Sequence, residues 1–536
     1  MPSITLADLS WSTPDGRAVL SNLDIQFQPE RTGIVGRNGV GKSTLLRLLT
    51  GELAPAGGHI AIDGRVAMLR QTVQVDAAAT IADLFGATDG LALLRKAEAG
   101  TATADELARA DWTLEARLDA ALAAIGLAVP ADAPLAHLSG GQRTRAALAG
   151  TMFAAPDFLL LDEPTNNLDR EGRAIVRRLL RGWRGGAIVV SHDRELLEEM
   201  DAIVKLSATG AARYGGGWSA YRARKAVEQA AAEADLANAE KRIDSARQQA
   251  QTAHEKQDRR DKRGRAKGAR GDLPRILTGA LKRRAEETRA AARRLADRQR
   301  ADAAAELAAA RARVETADPL SAGLPSTGLP MSRTVLVLDR VTAGYGAAPP
   351  VIDNLSLTVT GPERIAITGP NGSGKSTLLA LVAGTLAPWS GQVRVGVPLA
   401  LLDQRVNLLD PARSIAANLL ARNPGTTNNQ CRAALARFGF RADAADRIAG
   451  TLSGGQLLRA GLACVLGAPQ PPQLLILDEP GNHLDIDSLA AIESGLAAYD
   501  GALLVVSHDG MFLDAIGIDR TVALGAGTAR RDTADP

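Results

Sequence analysis

Aromatic side chains are scarce in this sequence: Phe, Trp and Tyr together make up 3% of its 536 residues. A core so poor in rings has to be closed by aliphatics and alanine, which favours helices packed on small residues. Only two cysteines are present, Cys431 and Cys464. That number excludes a disulfide framework or a thiolate metal cluster, and their apolar, helix-like surroundings read as inert buried thiols. Long hydrophobic runs are missing as well. Stretches such as AIVV and FLLL fall far short of the roughly 18 residues that span a bilayer. The N-terminus, MPSITLADLSW, lacks a basic segment followed by an apolar one, so no signal peptide is expected. These absences together predict a cytoplasmic protein.

What is present is an ordinary folded composition, 46% hydrophobic and 23% charged, in a chain long enough for two to four domains. The charge is unevenly placed. Overall net charge is +3, yet residues 241–300 hold twenty Lys or Arg against eight Asp or Glu, leaving −9 for the rest. A mildly acidic body with one strongly basic segment points to a polyanionic partner met at a defined place.

The chain also repeats itself. GRNGVGKST (Gly36, Arg37, Asn38, Gly39, Val40, Gly41, Lys42, Ser43, Thr44) recurs as GPNGSGKST (Gly369, Pro370, Asn371, Gly372, Ser373, Gly374, Lys375, Ser376, Thr377). Each copy lies between a strand-like apolar run and a helical one. Lys42 and Lys375 are 333 residues apart, and Gln71 and Gln404 keep that offset. LSGGQ recurs at an offset of 314, while the acidic pairs Asp162-Glu163 and Asp478-Glu479 and the histidines His192 and His508 recur at 316. This is a duplicated domain with nineteen extra residues in the first copy, before LSGGQ.

Each motif has a physical task. A glycine-rich loop opening a helix lets backbone N–H groups close around phosphates where the helix dipole favours anions. Lys42 and Lys375 are placed to reach the β- and γ-phosphates, and Ser43 and Ser376 to offer a hydroxyl to Mg²⁺. The apolar strands before Asp162 and Asp478 deliver those carboxylates to the metal, with Glu163 and Glu479 positioned to polarise water. His192 and His508 end another strand at the same sheet edge, within reach of the γ-phosphate. Candidate metal ligands are therefore Ser43, Gln71, Asp162, Ser376, Gln404 and Asp478.

In this order the motifs resemble the ATP-binding cassette ATPase domain, over nearly all of residues 1–222 and 332–530. The resemblance implies an α/β fold, with two P-loop nucleotide-binding domains in one chain that close on each other as an intramolecular pseudo-dimer of a monomer. One ATP site would use the first P-loop, Gln71, Asp162, Glu163 and His192, completed by Ser453, Gly454, Gly455 and Gln456. The other would use the second P-loop, Gln404, Asp478, Glu479 and His508, completed by Ser139, Gly140, Gly141 and Gln142. Trp11 and Tyr345, 25 and 24 residues before the first P-loop glycine, would stack on adenine, an interaction worth roughly 1–3 kcal/mol. Both sites keep every catalytic residue type, so both are expected to hydrolyse ATP.

Residues 223–318 are rich in Ala, Glu, Arg and Gln and predict two helices of about 40 residues, each roughly 60 Å long. Sparse large residues (Val227, Leu236, Ile243, Leu295, Leu307, Val314) suggest a thin seam between them. Gly264, Gly268, Gly271 and Pro274 are expected to break the pattern into a hairpin, which puts a basic tip at about 256–284. That stretch has no stacking aromatics, which disfavours single-strand base reading and favours backbone and shape contacts to folded RNA.

Tandem cassettes, a helical linker with a basic tip, the strings RGDLPRILTGALKRRAE and GGWSAYRARK, and DEPGNHLD at Asp478–Asp485 resemble the ABC-F family. That likeness implies a partner, the ribosome, with the linker pointed at rRNA of the peptidyl-transferase centre and at the P-site tRNA. The chain departs from the family's usual DEPTNHLD with Asn167 in the first copy and Gly481 in the second. Altered coupling rather than lost hydrolysis is expected. The extra residues, at about 86–119, would form a short arm; 319–331 would be a flexible connector and 531–536 a tail, with no further nucleic-acid-binding extension. Two other classes compete: the ATPase subunit of a transporter, which has no need of a basic linker, and a DNA-repair ATPase, which would bring a hinge domain or zinc-binding cysteines. Housekeeping and antibiotic-resistance roles within translation are not separable by these residues.

Overall fold

The computed structural model describes residues 1–69, 79–166, 168–207, 210–268, 294–295, 297–298, 301–311, 323–346, 348–482, 484–525 and 530–531. Gln71, Asn167, most of the basic tip, the start of the connector and the end of the tail lie outside them. The described chain divides into two units, one formed by Met1–Ser219 with Asp318–Pro536, the other by Ala220–Ala317.

In the first unit each repeat builds the same two sheets. A three-stranded antiparallel sheet pairs β1 (Ser3–Ser12) with β2 (Ala18–Phe27) and β4 (Gly57–Asp63). The larger sheet has the order β5-β6-β7-β3-β8-β9, from β3 (Arg31–Val35), β5 (Val66–Leu69), β6 (Phe158–Asp162), β7 (Gly186–Val190), β8 (Ala202–Ser207) and β9 (Gly210–Gly215). All its neighbours are parallel except β8 and β9. The second repeat matches it with β10 (Thr334–Ala343), β11 (Ile352–Thr360) and β13 (Ser390–Val395) in the small sheet. Its large sheet runs β14-β15-β16-β12-β17-β18, from β12 (Arg364–Thr368), β14 (Leu399–Leu402), β15 (Leu474–Asp478), β16 (Ala502–Val506), β17 (Arg520–Ala523) and β18 (Arg530–Arg531).

The strands FLLLD and GAIVV are buried at every position, as parallel strands covered on both faces must be. Strand β3 sits between β7 and β8, so the chain direction of the connections reverses there. Ligands of open α/β sheets bind outside the carboxyl ends of strands at such a switch point. The carboxyl ends of β3, β6 and β7, with the segments that follow them, carry Gly36–Thr44, Asp162-Glu163 and His192, which is how residues far apart in sequence come to one edge.

The extra residues of the first repeat do not stand apart from it. Helices Thr88–Glu98, Ala104–Arg109 and Leu114–Ala124 include Leu91, Leu94, Leu118 and Leu122, which share one core with Leu138 and Ala146 of the LSGGQ region. Trp112, between the second and third helices, is 63% exposed.

In the second unit a single helix runs Trp218–Gly268, 51 residues and about 75 Å at 1.5 Å per residue. It passes through Gly264, where a break was expected. A lone glycine costs a helix only about 1 kcal/mol relative to alanine, and good helix formers flank this one. Residues 301–311 are helical too and run antiparallel to the first helix, because Arg242 pairs with Glu306 at 2.8 Å and Arg311 with Glu240 at 3.5 Å. The seam differs from the expected one. Val227 and Leu295 are 70% and 58% exposed, while Ala239 and Ala310 are buried. The half-buried or buried positions Ala232, Leu236, Ala239 and Ile243 recur every three or four residues, and Val227 falls off that stripe. Alanine lets the two backbones approach where larger residues would hold them apart.

Phe158 is fully buried at the start of β6, and Gly186 on β7 leaves its ring room, since a Cβ there would lie 2.3 Å from the ring. Phe158→Ala should cost about 3–5 kcal/mol, seen as a clear drop in the thermal midpoint; an unchanged midpoint would contradict this packing.

Candidate functional site

The two P-loops open short helices, Lys42–Leu49 and Lys375–Val382, whose N-caps Gly41 and Gly374 have φ of 103° and 94°. Only glycine holds that left-handed turn without strain, and it aims the first amides of each helix into the loop. Lys42 Nζ lies 2.7 Å from Gly36 O and 3.3 Å from Arg37 O, and Lys375 Nζ 2.8 Å from Gly369 O and 2.9 Å from Pro370 O. Each ammonium is thus held over the loop by carbonyls it would share with a phosphate. Burial lowers the pKa of both lysines, opposed in each case by nearby carboxylates.

At the end of β6, Asp162 is hydrogen-bonded to the Ser43 side chain, and Asp478 is likewise bonded to Ser376. Burial raises both carboxyls above their usual range. The next residues, Glu163 and Glu479, have φ of 50° and 47°. A glutamate held in this region costs of order 1–3 kcal/mol, and the amide bonds Glu163 N to Val190 O and Glu479 N to Val506 O, both 2.9 Å, help to fix it there. Each glutamate faces a histidine: His192 Nε2 is 3.3 Å from Glu163 Oε1, and His508 Nε2 is 3.4 Å from Glu479 Oε1. Burial pushes Glu163 up to about 8 and Glu479 to about 7, and drives His192 down to about 3 and His508 to about 4. The histidines are therefore neutral at pH 7, and these are contacts of a neutral imidazole with a carboxyl rather than ion pairs.

A cleft of about 500 Å³ joins these groups in the first repeat, lined by Trp11, Lys42, Ser43, Asp162, Glu163 and His192, with Thr13 and Arg17 beside them. In the second repeat a cleft of similar volume is lined by Gly369, Pro370, Ser507 and His508, together with Asp169, Arg170 and Glu171 of the first repeat. Tyr345 is 56% exposed and does not line it. Ser139 and Ser453 cap the helices Gly140–Phe153 and Gly454–Leu466, each in a capping box with Gln142 or Gln456. Neither LSGGQ segment lines a described cleft, though both present a helix N-terminus of the kind that attracts anions. Gln404 is described in the turn after β14, while Gln71 lies outside the described residues.

The donors suit Mg²⁺, which takes hard oxygen ligands. Ser43 and Asp162 supply such a pair at the first site, and Ser376 and Asp478 at the second. Buried polar atoms without hydrogen-bond partners at the same edge, His192 Nδ1 and Ser373 Oγ, are further groups that a nucleotide phosphate could satisfy.

Three contacts were not anticipated from sequence. Asp485 Oδ2 accepts from the P-loop amide of Asn38 at 2.9 Å, and Asp169 Oδ2 accepts from that of Asn371 at 3.3 Å. Each repeat thus holds the other's phosphate loop. Burial opposes both charges, but the Ser488 hydroxyl and amide donors at Asp485, and the amide donors at Asp169, keep both carboxylates below the usual range. The third contact is Arg194, with a side chain 7% exposed, which reaches Glu493 at 2.5 Å and Asp509 at 3.4 Å. The signal for it was available: SHDR in the first repeat reads SHDG in the second, so the cation stands on one side only.

A family model described as ABC transporter matches residues 20–166 and 352–482. The tylosin resistance ATP-binding protein of Streptomyces fradiae is 35% identical over 531 residues, covering 92% of each chain. The energy-dependent translational throttle protein of Mycobacterium tuberculosis is 31% identical over 530 residues, covering 93% of this chain and 87% of its own. Among solved structures, an archaeal ribosome recycling factor in complex with a ribosomal stalk protein aligns with a TM-score of 0.57 at 20% identity, over 96% of this chain and 87% of its own. Among the described residues no helix is long and apolar enough to cross a membrane.

Two outcomes test this geometry. Because burial raises the folded-state pKa of Glu163, the folded state holds its proton more tightly, and stability falls as pH rises from the usual glutamate range through about 8. Glu163→Gln should therefore raise the thermal midpoint over wild type at pH 9 and match it near pH 4.5, measured without nucleotide or Mg²⁺. Arg194→Met removes the cation that Glu493 and Asp509 share, and breaking a buried ion pair from one side costs about 3–5 kcal/mol. Arg194→Met should lower the thermal midpoint, and Arg194→Met combined with Glu493→Leu should recover most of the loss.

Proposed function

The chain belongs to the ABC transporter family of ATP-binding cassettes, in its ABC-F branch of tandem-cassette ATPases, and on that premise we propose that it is a translation factor. In this reading it grips the ribosome when ATP is bound and lets go after hydrolysis. Its two P-loops bind ATP, the cassettes close as an intramolecular pseudo-dimer, and the basic stretch at about 256–284 meets rRNA and P-site tRNA. The protein acts as a cytoplasmic monomer. The observation that carries the partner class is the charge distribution: a segment of net +12 within a chain whose remainder carries −9. Relatives named for tylosin resistance and for translational throttling support a ribosomal target, and they fit a protective and a regulatory role equally well.

The chemistry follows from the site. Lys42 and Lys375 exchange loop carbonyls for phosphate oxygens, and the P-loop amides cradle the chain of phosphates. Mg²⁺ arriving with ATP at Ser43 and Asp162, and at Ser376 and Asp478, would neutralise charge on the transferring phosphoryl group. Glu163 and Glu479 orient the attacking water and accept its proton, a role suited to carboxyls whose affinity for a proton burial has raised. The neutral imidazoles of His192 and His508 fix those carboxyls and reach the γ-phosphate. Trp11 and Tyr345 stack on adenine, and the LSGGQ helices complete each site from the opposite cassette.

Replacing both Glu163 and Glu479 with Gln should abolish turnover while keeping ATP binding, and polysome profiles of that variant should show it held on ribosomes. Recovery only in ribosome-free fractions would refute the reading. Charge reversal across Arg259–Arg270 should weaken the association and flatten its dependence on salt, because fewer counterions are released. An unchanged slope would reduce this segment to a solubilising stalk.

A further inference from the structure

The two site histidines sit in turns of the same make that are held from different places. In the first turn, Asp193 N donates to Ser191 Oγ at 3.0 Å, and Leu196 N to Asp193 Oδ1 at 3.1 Å. In the second, Asp509 N donates to Ser507 Oγ at 3.1 Å, and Phe512 N to Asp509 Oδ1 at 2.9 Å. The other carboxylate oxygen of each aspartate meets a guanidinium. Asp193 Oδ2 lies 3.6 Å from Nη1 of Arg173, a residue of its own cassette. At the place equivalent to Arg173 the second cassette carries Leu489, which is buried in its core and offers no charge. Asp509 Oδ2 is reached instead by Arg194 of the first cassette, whose Nη2 donates to it at 3.4 Å.

Arg194 is fixed for this reach. It binds Glu493 of the second cassette with two prongs, Nη1 to Oε2 at 3.2 Å and Nη2 to Oε1 at 2.5 Å, in a site where its side chain is 7% exposed. Such a pair sets the plane of the guanidinium as well as its position. The arrangement is not reciprocal. The first-cassette counterpart of Glu493 is Arg177, which pairs with Glu195 of its own cassette. The counterpart of Arg194 is Gly510, so no cation crosses from that position. Beyond Asp509 the contact leads to the chemistry, because its chain neighbour His508 places Nε2 3.4 Å from Glu479 Oε1. His508 and Gly510, which flank Asp509, and Glu195, which follows Arg194, all line the second cleft.

We propose that Arg194 is a positioning residue for hydrolysis at the second site. From the first cassette it holds Asp509, and with it the turn that sets His508 against Glu479. The His508 turn is complete only while the cassettes are paired, whereas the His192 turn is held within its own cassette by Arg173. Hydrolysis at the second site therefore depends on pairing through a contact that the first site does not use. The inference deepens the ATPase reading and rests on Glu163 and Glu479 being the groups that orient water.

Single-turnover hydrolysis of bound ATP reads the sites apart, with Glu163→Gln leaving the second and Glu479→Gln the first. Arg194→Met combined with Glu493→Leu removes the whole bridge while recovering most of the stability lost with Arg194 alone. In the Glu163→Gln protein this pair should slow hydrolysis about threefold to thirtyfold at unchanged ATP affinity, and in the Glu479→Gln protein the rate should stay within about twofold. Asp509→Asn keeps an oxygen for Phe512 N but loses the charge that Arg194 holds, and it should slow the second site in the same way. Arg194→Lys, which keeps a cation without the planar fork, should give an intermediate rate. An equal fall in both proteins, a fall matched by ATP affinity or thermal midpoint, or no fall at all would overturn the proposal. Amide exchange over residues 507–512 gives a readout that needs neither glutamate. In the otherwise unaltered protein the paired substitution should quicken it by at least about threefold and leave residues 191–193 as they were. Unchanged exchange would overturn the proposal even where hydrolysis slows. Hydrolysis that persists with both glutamates replaced would refute their assignment instead, and the exchange result then decides the role of Arg194.

Discussion

Two aspartates each divide their carboxylate between two tasks, and the arrangement of the cassettes depends on that division. Asp169 gives one oxygen to Gly172 N of its own helix and the other to Asn371 N of the opposite P-loop. Asp485 does the same with Ser488 N and Asn38 N. The residue that starts a helix is therefore also the residue that holds a partner loop. Charge-assisted bonds of this kind are about twice as strong as neutral ones, and here they tie two sites together at the backbone, where side-chain substitution cannot remove the donor. A shift in either phosphate loop must be felt at the start of the opposing helix, at the end of the loop that begins with the acidic pair.

Around this two-fold crossing the side chains are not two-fold. Arg194 stands against Glu493 and Asp509, while its counterpart is Gly510, and a Cβ at Gly510 would come within 3.3 Å of Glu195 Oε1. Glycine there makes room for a cassette that brings the larger side chain. A buried cation between two carboxylates gains little net stability over an apolar patch of equal volume. Its effect is on register: a sliding or reversed pairing would strand one charge or three. The two repeats share one backbone plan, and the side chains that differ between them make their boundary directional.

Much of the fold was legible because the chemistry of phosphate binding constrains backbone as well as side chains. The glycines at Gly41 and Gly374, the apolar strands ending at Asp162 and Asp478, and the histidines closing β7 and β16 all announce one sheet edge. The reciprocal bonds of Asp169 and Asp485 were less legible, since a backbone amide leaves no trace in sequence and an aspartate before a helix reads first as a cap. Arg194 could be seen as a difference between the repeats, but its partners Glu493 and Asp509 sit some 300 residues away and only packing brings them together. The helical unit was legible in its period and misjudged in its detail. Val227 and Leu295 looked like seam residues by hydrophobicity, yet the close approach runs through Ala239 and Ala310, where small size rather than apolar area decides the contact.

Nucleotide and cassette pairing are linked through the same donors. The amides of Asn38 and Asn371 belong to the loops proposed to cradle phosphate, and the carboxylates of Asp485 and Asp169 already draw on them. An N–H cannot serve two anions at full strength, so phosphate binding and the carboxylate contact must alter each other, and linkage makes the alteration equal in both directions. A ligand shifts an equilibrium only by its differential affinity for the two states. Here the difference arises at two amides and two carboxylates placed between the cassettes. Any grip on a polyanion that follows the pairing of the cassettes inherits its nucleotide dependence from those four groups. In the proposed reading the basic segment supplies strength that varies with salt, and the site supplies the timing.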